Sequence, residues 1–214
     1  MNVRYNKLRE NILDTAERLF AENGYYHSTM RDISRDAKIR PVDVTDVFET
    51  KEDLFYEVIK RRATEINLIR IDRISTVISS GDRSDQLRQI LRAFYSPLYE
   101  KSVQDERWLN YLRLVPQIMR KKSPILILVT EFYTPISAIF LKRLKVLYPE
   151  TSFEKITSYW HFALVTYFNV FLDDFRIGEL QMDGFPTVKN SSIKERFQDA
   201  EDFIIAGFET LIQQ

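Results

Sequence analysis

Cysteine is absent from this chain, so neither a disulfide framework nor thiolate chemistry is available to it. Glycine is scarce, with five in 214 residues, and no glycine-rich phosphate loop, nucleophile elbow, HExxH pair or Cys-His pair occurs. Any acid-base pair drawn from the carboxylates would be arbitrary, so we expect no enzyme activity and no cofactor. Histidine is limited to His27 and His161, which fall in different parts of the chain. Even His161 and Asp173 would lie ~18 Å apart along one helix, so no metal site is expected. Long hydrophobic runs are missing too. The most continuous one, Phe162 to Leu172, is interrupted by Thr166 and Asn169 and falls short of the ~20 residues of a membrane span. The first residues, MNVRYNKLRENIL, are amphipathic and charged, without the apolar centre of a secretory signal. These absences point to a soluble, cytoplasmic protein with no membrane partner.

There is no excess charge of either sign, since 31 basic residues balance 31 acidic ones. The first 62 residues balance as well, so an interaction with nucleic acid would depend on local distribution. Arg4, Lys7 and Arg9 form a basic arm, and Arg31, Lys38, Arg40 and Lys51 cluster further on.

What is present is helical periodicity. Leu8, Ile12, Leu13, Ala16, Leu19 and Phe20 keep one face through a first helix that stops at Asn23-Gly24. Met30, Ile33 and Ala37 give a short second helix, with Thr29 as its N-cap and Asp32 as the box partner. After a turn at Lys38 and Ile39, Pro41 suits the first position of a third helix buried through Val44, Val47 and Phe48. Its opposite side carries Arg40, Val42, Asp43, Thr45 and Asp46. Thr50 and Asp53 then cap a long helix that runs without proline or glycine towards Ser79-Ser80-Gly81. Helix, turn, helix at this size suits the DNA major groove.

Ile12-Leu13 to Phe20, Gly24-Tyr25, Ser28-Thr29, Ile33, Ala37, Ile39, Val44, Phe48 and Lys51-Glu52-Asp53-Leu54 resemble the N-terminal domain of TetR-type transcriptional regulators. The likeness covers about the first quarter of the chain. It implies an all-α homodimer with an N-terminal helix-turn-helix and a larger C-terminal helical domain that binds a small effector and dimerises. On that reading residues 1–50 are the DNA-binding domain and 51–214 the effector and dimerisation domain, with 51–79 as connecting helix. A two-fold pair of reading heads needs a spacing near ~34 Å, one DNA turn, so a small rotation abolishes the fit. The chain departs from the family pattern at Lys38, where glycine is usual, and at Arg40, where a serine cap is usual. Val42 replaces a small residue, and Thr45 and Val47 replace aromatic ones.

The implied partners are a double-stranded DNA operator and a small apolar or amphipathic effector. Arg40, Pro41, Val42, Asp43, Thr45 and Asp46 would face the groove, while Thr29, Arg31, Lys38 and Lys51 would hold phosphates. The alternative is a helical ligand-binding or scaffold protein with a degenerate reading head, suggested by Thr45, Val47 and the acidic third helix.

Four further helices are expected over Ser84 to Lys101, Asp105 to Lys121, Pro124 to Leu147 and Ser152 to Ile177, capped at Ser84 or Asp82, Asp105, Ser123 and Thr151. A loop over 178–191 and a last helix opened by Ser192 and Glu195 follow. Pro97, Pro116 and Pro135 fall inside three of these helices and leave the carbonyls of Ala93, Leu112 and Glu131 without their usual partners. That reads either as curvature around a core or as bowed helices holding a cavity open. Tyr95, Trp108, Tyr111, Arg113, Gln117 and Tyr133 are candidate lining residues, although aromatics at helical spacing are more often core. His161 and Asn169 form a polar stripe that is either cavity wall or an edge near solvent or the dimer axis. Trp160, Ala163, Tyr167 and Val170, with Phe203 and Phe208 on the last helix, serve either as a central core or as half of a four-helix dimer seam. The family resemblance favours the seam.

Overall fold

The computed structural model describes residues 3–77, 81–119, 124–171 and 192–210. Among these residues all regular structure is helical: α1 Val3–Asn23, α2 Met30–Asp36, α3 Pro41–Thr45, α4 Lys51–Thr76, α5 Arg83–Gln104, α6 Arg107–Met119, α7 Pro124–Leu147, α8 Phe153–Asn169 and α9 Ile193–Glu209. The expected Ser123 cap, the 178–191 loop, Asp173 and the stretch up to Ile177 lie outside the described residues.

Local chemistry fixes the boundaries. Thr29 and Asp32, Thr50 and Asp53, and Ser192 and Glu195 each exchange side-chain and backbone hydrogen bonds in reciprocal capping boxes. Pro41 occupies the first turn of α3, as its missing N–H allows. Gly24 ends α1 at a left-handed φ of 80°, its N–H donating to the Phe20 carbonyl at 3.0 Å. Among the boundaries that differ from expectation, α8 ends at Asn169, with Val170 as its C-cap, and not at Ile177. The cap of α8 is Ser152, which accepts from the Lys155 N–H, and not Thr151. The long helix α4 stops at Thr76, where Val77 turns to extended backbone, short of the serine-glycine run.

The three N-terminal helices close on a fully buried set of Ile12, Leu13, Ala16, Phe20, Ile33 and Val44, joined by Leu54 and Phe55 from the start of α4. This core is continuous with that of the larger helical body, because α1 packs against both α4 and α6. Gln117 of α6 donates to the Ala21 carbonyl at 2.9 Å, and Arg107 reaches Asp14 at 3.1 Å.

Pro97, Pro116 and Pro135 lie inside α5, α6 and α7, as expected. In all three cases the carbonyl three residues before the proline accepts a side-chain donor. Arg70 donates to Phe94 at 2.9 Å, Gln117 to Arg113 at 3.3 Å, and Asn67 to Phe132 at 2.7 Å. A proline ring crowds the preceding turn and opens it, which makes these carbonyls available to groups outside the helix. Two of the three donors belong to α4, so the connecting helix is tied to the proline breaks of α5 and α7.

Candidate functional site

Two surfaces stand out, an exposed short helix and an apolar pocket. In α3, Val44 is fully buried and holds the helix down, while Arg40, Pro41, Val42, Thr45 and Asp46 are exposed and Asp43 is half-buried. Thr45 donates its hydroxyl to the Val42 carbonyl at 3.0 Å. Asp43 accepts from both the backbone N–H and the guanidinium of Arg40, at 3.1 Å and 2.6 Å, and the Arg40 hydrogen bond holds its carboxyl below the usual value. The turn before α3 places Lys38 at a left-handed φ of 57°.

Around that helix the basic residues divide into two groups. Lys51 points inward: its ammonium donates to the carbonyls of Tyr25 and Ser28 at 3.1 Å each and sits 4.1 Å from the Tyr25 ring. The Thr29 hydroxyl is occupied in the α2 capping box. Arg18 pairs with Asp36 and Arg35 with Asp32, both at 3.0 Å. Arg31 and Lys38 are exposed and make no ion pair among the described residues. Tyr25 is half-buried with its hydroxyl on Glu52 at 2.7 Å, whereas Tyr26 is exposed.

The pocket, about 450 Å³, lies between α4, α5, α6, α7 and α8. Phe94, Val115, Ile136, Leu141, Leu164 and Phe168 supply apolar wall, with Arg70 and Trp160 buried among them. Thr130, Thr134, Thr157 and His161 line it from exposed positions. Of the candidate lining residues, Tyr133 and His161 are in the wall. Tyr111 stands behind the wall, its hydroxyl 3.1 Å from that of Tyr133, and burial pushes its phenol up to about 12. Tyr95 is buried, with its ring centre 4.3 Å from that of Tyr167. Trp108 lies under the Arg62 guanidinium at 4.8 Å, Gln117 is committed to Ala21, and Arg113 is half-buried on α6. Asn169 donates to the Val165 carbonyl one turn back.

Sequence reasoning misses Arg70. It is 2% exposed, and its Nε and Nη1 reach the Phe94 carbonyl and the Asn67 side chain at 2.9 Å and 3.2 Å. Its guanidinium carbon lies 3.7 Å from the centre of the Phe94 ring, and burial lowers its pKa. Its Nη2 and the Trp160 Nε1 are both buried without a hydrogen-bond partner among the described residues. A signal for it does exist: Ala63, Ile66, Arg70 and Ile74 share one stripe of α4, so an arginine there has to be buried.

The seam expected through Trp160, Ala163, Tyr167, Val170 and Phe208 is inside the subunit, where all five are buried. Of the six residues only Phe203 is exposed, at 71%. The large apolar side chains that α8 leaves to solvent are Phe162 and Val165, with Phe153 at its start. A helix apolar on every side has two such faces, and its spacing alone does not say which one turns inward.

Among the described residues, no cluster of three metal-ligating side chains occurs, and no helix is long and apolar enough to cross a membrane. A comparison with the curated proteins finds no match. Among solved structures, the chain is similar to the fatty acid degradation regulator FadR from Bacillus halodurans, with 12% identity, 97% of each chain covered and a TM-score of 0.61. It is also similar to a transcriptional regulator from Rhodococcus sp. Rha1, with 18% identity, 94% and 95% covered and a TM-score of 0.56. A third is the TetR family transcriptional regulator PfmR from Thermus thermophilus, with 16% identity, 91% and 97% covered and a TM-score of 0.54. At such identities the likeness is one of fold. Family models settle more: residues 12–58 match the bacterial regulatory proteins of the tetR family, and residues 92–207, more than half the chain, match the tetracyclin repressor-like C-terminal domain. The chain therefore belongs to the TetR family of transcriptional regulators.

Proposed function

We propose that this protein is a cytoplasmic, homodimeric repressor that leaves its DNA operator when a small apolar or amphipathic effector enters the pocket of the larger domain. The observation that carries this reading is the reach of α4. Its first residue, Lys51, holds the loop between α1 and α2 through the carbonyls of Tyr25 and Ser28, and its Arg70 lies in the pocket wall. Whatever shifts α4 at the pocket is felt at the reading head. DNA contact would come from the exposed side of α3, with Arg31 and Lys38 as the cations available for phosphate. Phe162, Val165 and Phe203 supply the apolar surface on α8 and α9 that a second subunit would cover.

The test is selection of genomic fragments by the purified protein, followed by binding at two salt concentrations. An enriched two-fold sequence, bound more weakly as salt rises, is the expected result. Retention independent of salt, or a particle that stays single at high concentration, overturns the proposal. The rival reading, a helical ligand-binding or scaffold protein with a vestigial head, draws on the internal engagement of Arg40 and Lys51. It would be favoured if Arg31→Ala with Lys38→Ala left DNA retention unchanged.

A further inference from the structure

The pocket contains two buried polar side chains, and both hold donors without acceptors. Arginine has five N–H groups and no acceptor, and the tryptophan ring has one donor only. Arg70 satisfies part of its set on the Phe94 carbonyl and Asn67, which leaves Nη2; Trp160 leaves Nε1. No carboxylate occurs among the described side chains that line the pocket, so the Arg70 charge has no counterion there. An unpaired buried charge is costly, and two buried, unsatisfied donors with no carboxylate beside them are complementary to an anion. Apart from hydroxyl groups, His161 and Lys142 on α7 and α8, the rest of the wall is apolar, and about 450 Å³ corresponds to roughly fifteen water volumes at ~30 Å³ each.

From this donor set we infer that the effector is a small organic acid: a carboxylate on an apolar body of roughly ten to fifteen heavy atoms. The carboxylate accepts from Arg70 Nη2 and Trp160 Nε1 once these side chains, whose donor atoms are closed to solvent, turn towards it, and the body lies against Phe94, Ile136, Leu141 and Leu164. The position of Arg70 gives such a ligand leverage. The same guanidinium ties α4 to the Phe94 carbonyl beside the Pro97 break, and Asn67, its neighbour in the network, ties α4 to Phe132 beside the Pro135 break. A carboxylate that draws this guanidinium towards itself pulls on the Phe94 tie directly and on the Phe132 tie through Asn67, and so acts on α4. This rests on the reading of the pocket as an effector site, and it is tested separately from DNA release.

Calorimetric titration of the full chain, without DNA, with nonanoate, 1-nonanol and nonylamine compares three head groups on one tail. The acid is expected to bind about tenfold or more tightly than the alcohol, the worth of one charge-assisted hydrogen bond, and the amine weakest. In Arg70→Met the acid should lose that advantage while the alcohol binds as before. In Trp160→Phe, which keeps an aromatic ring, the advantage should shrink but persist. Equal binding of acid and alcohol to the wild type, a preference for the amine, no saturable binding by any of the three, or an undiminished preference for acid in Arg70→Met would each overturn the inference. If Arg70→Met fails to give the wild-type circular dichroism spectrum, the wild-type ranking and Trp160→Phe decide alone. Binding of nonanoate that leaves operator affinity unchanged would contradict effector control of DNA binding while sustaining the identity of the ligand.

Discussion

Positive charge is handled in opposite ways at two places on α4, about two turns apart. Towards its start, Arg61 meets Glu10, Asp14 and Glu17, and Arg62 lies against Glu17 at 2.9 Å with the Trp108 ring on its other side. Glu17 is 1% exposed; burial raises its carboxyl pKa, and the two arginines pull against that rise. Two turns further along, Arg70 is as deeply buried and is met by a carbonyl, an amide oxygen and an aromatic face. Near the head each buried guanidinium is neutralised by the protein; at the pocket one is left over. The difference indicates that the first group holds the reading head to the body, while the second is reserved for something the body does not supply. Oxygen dipoles and the cation-aromatic contact offset part of the desolvation of Arg70, but not its charge.

The comparison is sharpest in a pair of stability measurements. Glu17→Ala leaves Arg62 buried without its carboxylate and should cost about 3–5 kcal/mol in denaturant unfolding, the usual penalty for removing one partner of a buried pair. Arg70→Met removes a charge that has no partner to lose. It should change stability by no more than about 1 kcal/mol in either direction, since the lost hydrogen bonds offset the relief of desolvation. If Arg70→Met proves as damaging as Glu17→Ala, the two arginines are equivalent structural groups and the contrast fails.

Next in size is an effect on DNA. Arg31 and Lys38 are the exposed cations near α3 that make no ion pair among the described residues, so the double substitution to alanine should weaken operator binding and reduce the salt slope of the dimer by about four, two per subunit. Asp43→Asn acts in the other direction. It releases the Arg40 guanidinium from its carboxylate, which should raise affinity and steepen the salt slope of the dimer by about two, one per subunit. An unchanged slope in Asp43→Asn would mean that Arg40 does not reach DNA even when free.

The head is more legible in the sequence than the pocket, for a physical reason. Capping boxes, a proline in the first helical turn and a glycine stop are local devices, written within four residues. Thr29 and Asp32, Thr50 and Asp53, Ser192 and Glu195, Pro41 and Gly24 can all be located before any fold is known. The prolines of α5, α6 and α7 are equally plain, yet which carbonyls they free and which donors come to them depends on neighbouring helices. Arg70 can be recognised as an arginine on an apolar stripe, but Arg62 has the same signature. Only the arrival of Glu17 from α1 at one and not at the other separates a structural pair from a binding group. The dimer face is obscured in a similar way. Phe162 and Val165 belong to a helix apolar all round, and the packing of Trp160 and Tyr167 into the core is what leaves them outside.

The smallest effect is at Lys38, and it separates stability from DNA binding within one residue. Its φ of 57° is left-handed, a conformation in which a side chain costs about 1–2 kcal/mol, while glycine in its place would give back about 0.5–1 kcal/mol of that through a more flexible unfolded chain. Lys38→Gly should therefore raise stability by about 0.5–1 kcal/mol, read as a higher denaturant midpoint at unchanged slope. The same substitution removes one of these two exposed cations from each subunit, so DNA binding should weaken and the salt slope of the dimer should fall by about two. A more stable protein that binds its operator less well would mean that the lysine is kept in a strained turn for its charge. A loss of stability would show instead that the ammonium or its stem supports the turn, and would leave Arg31 as the sole candidate for phosphate in this pair.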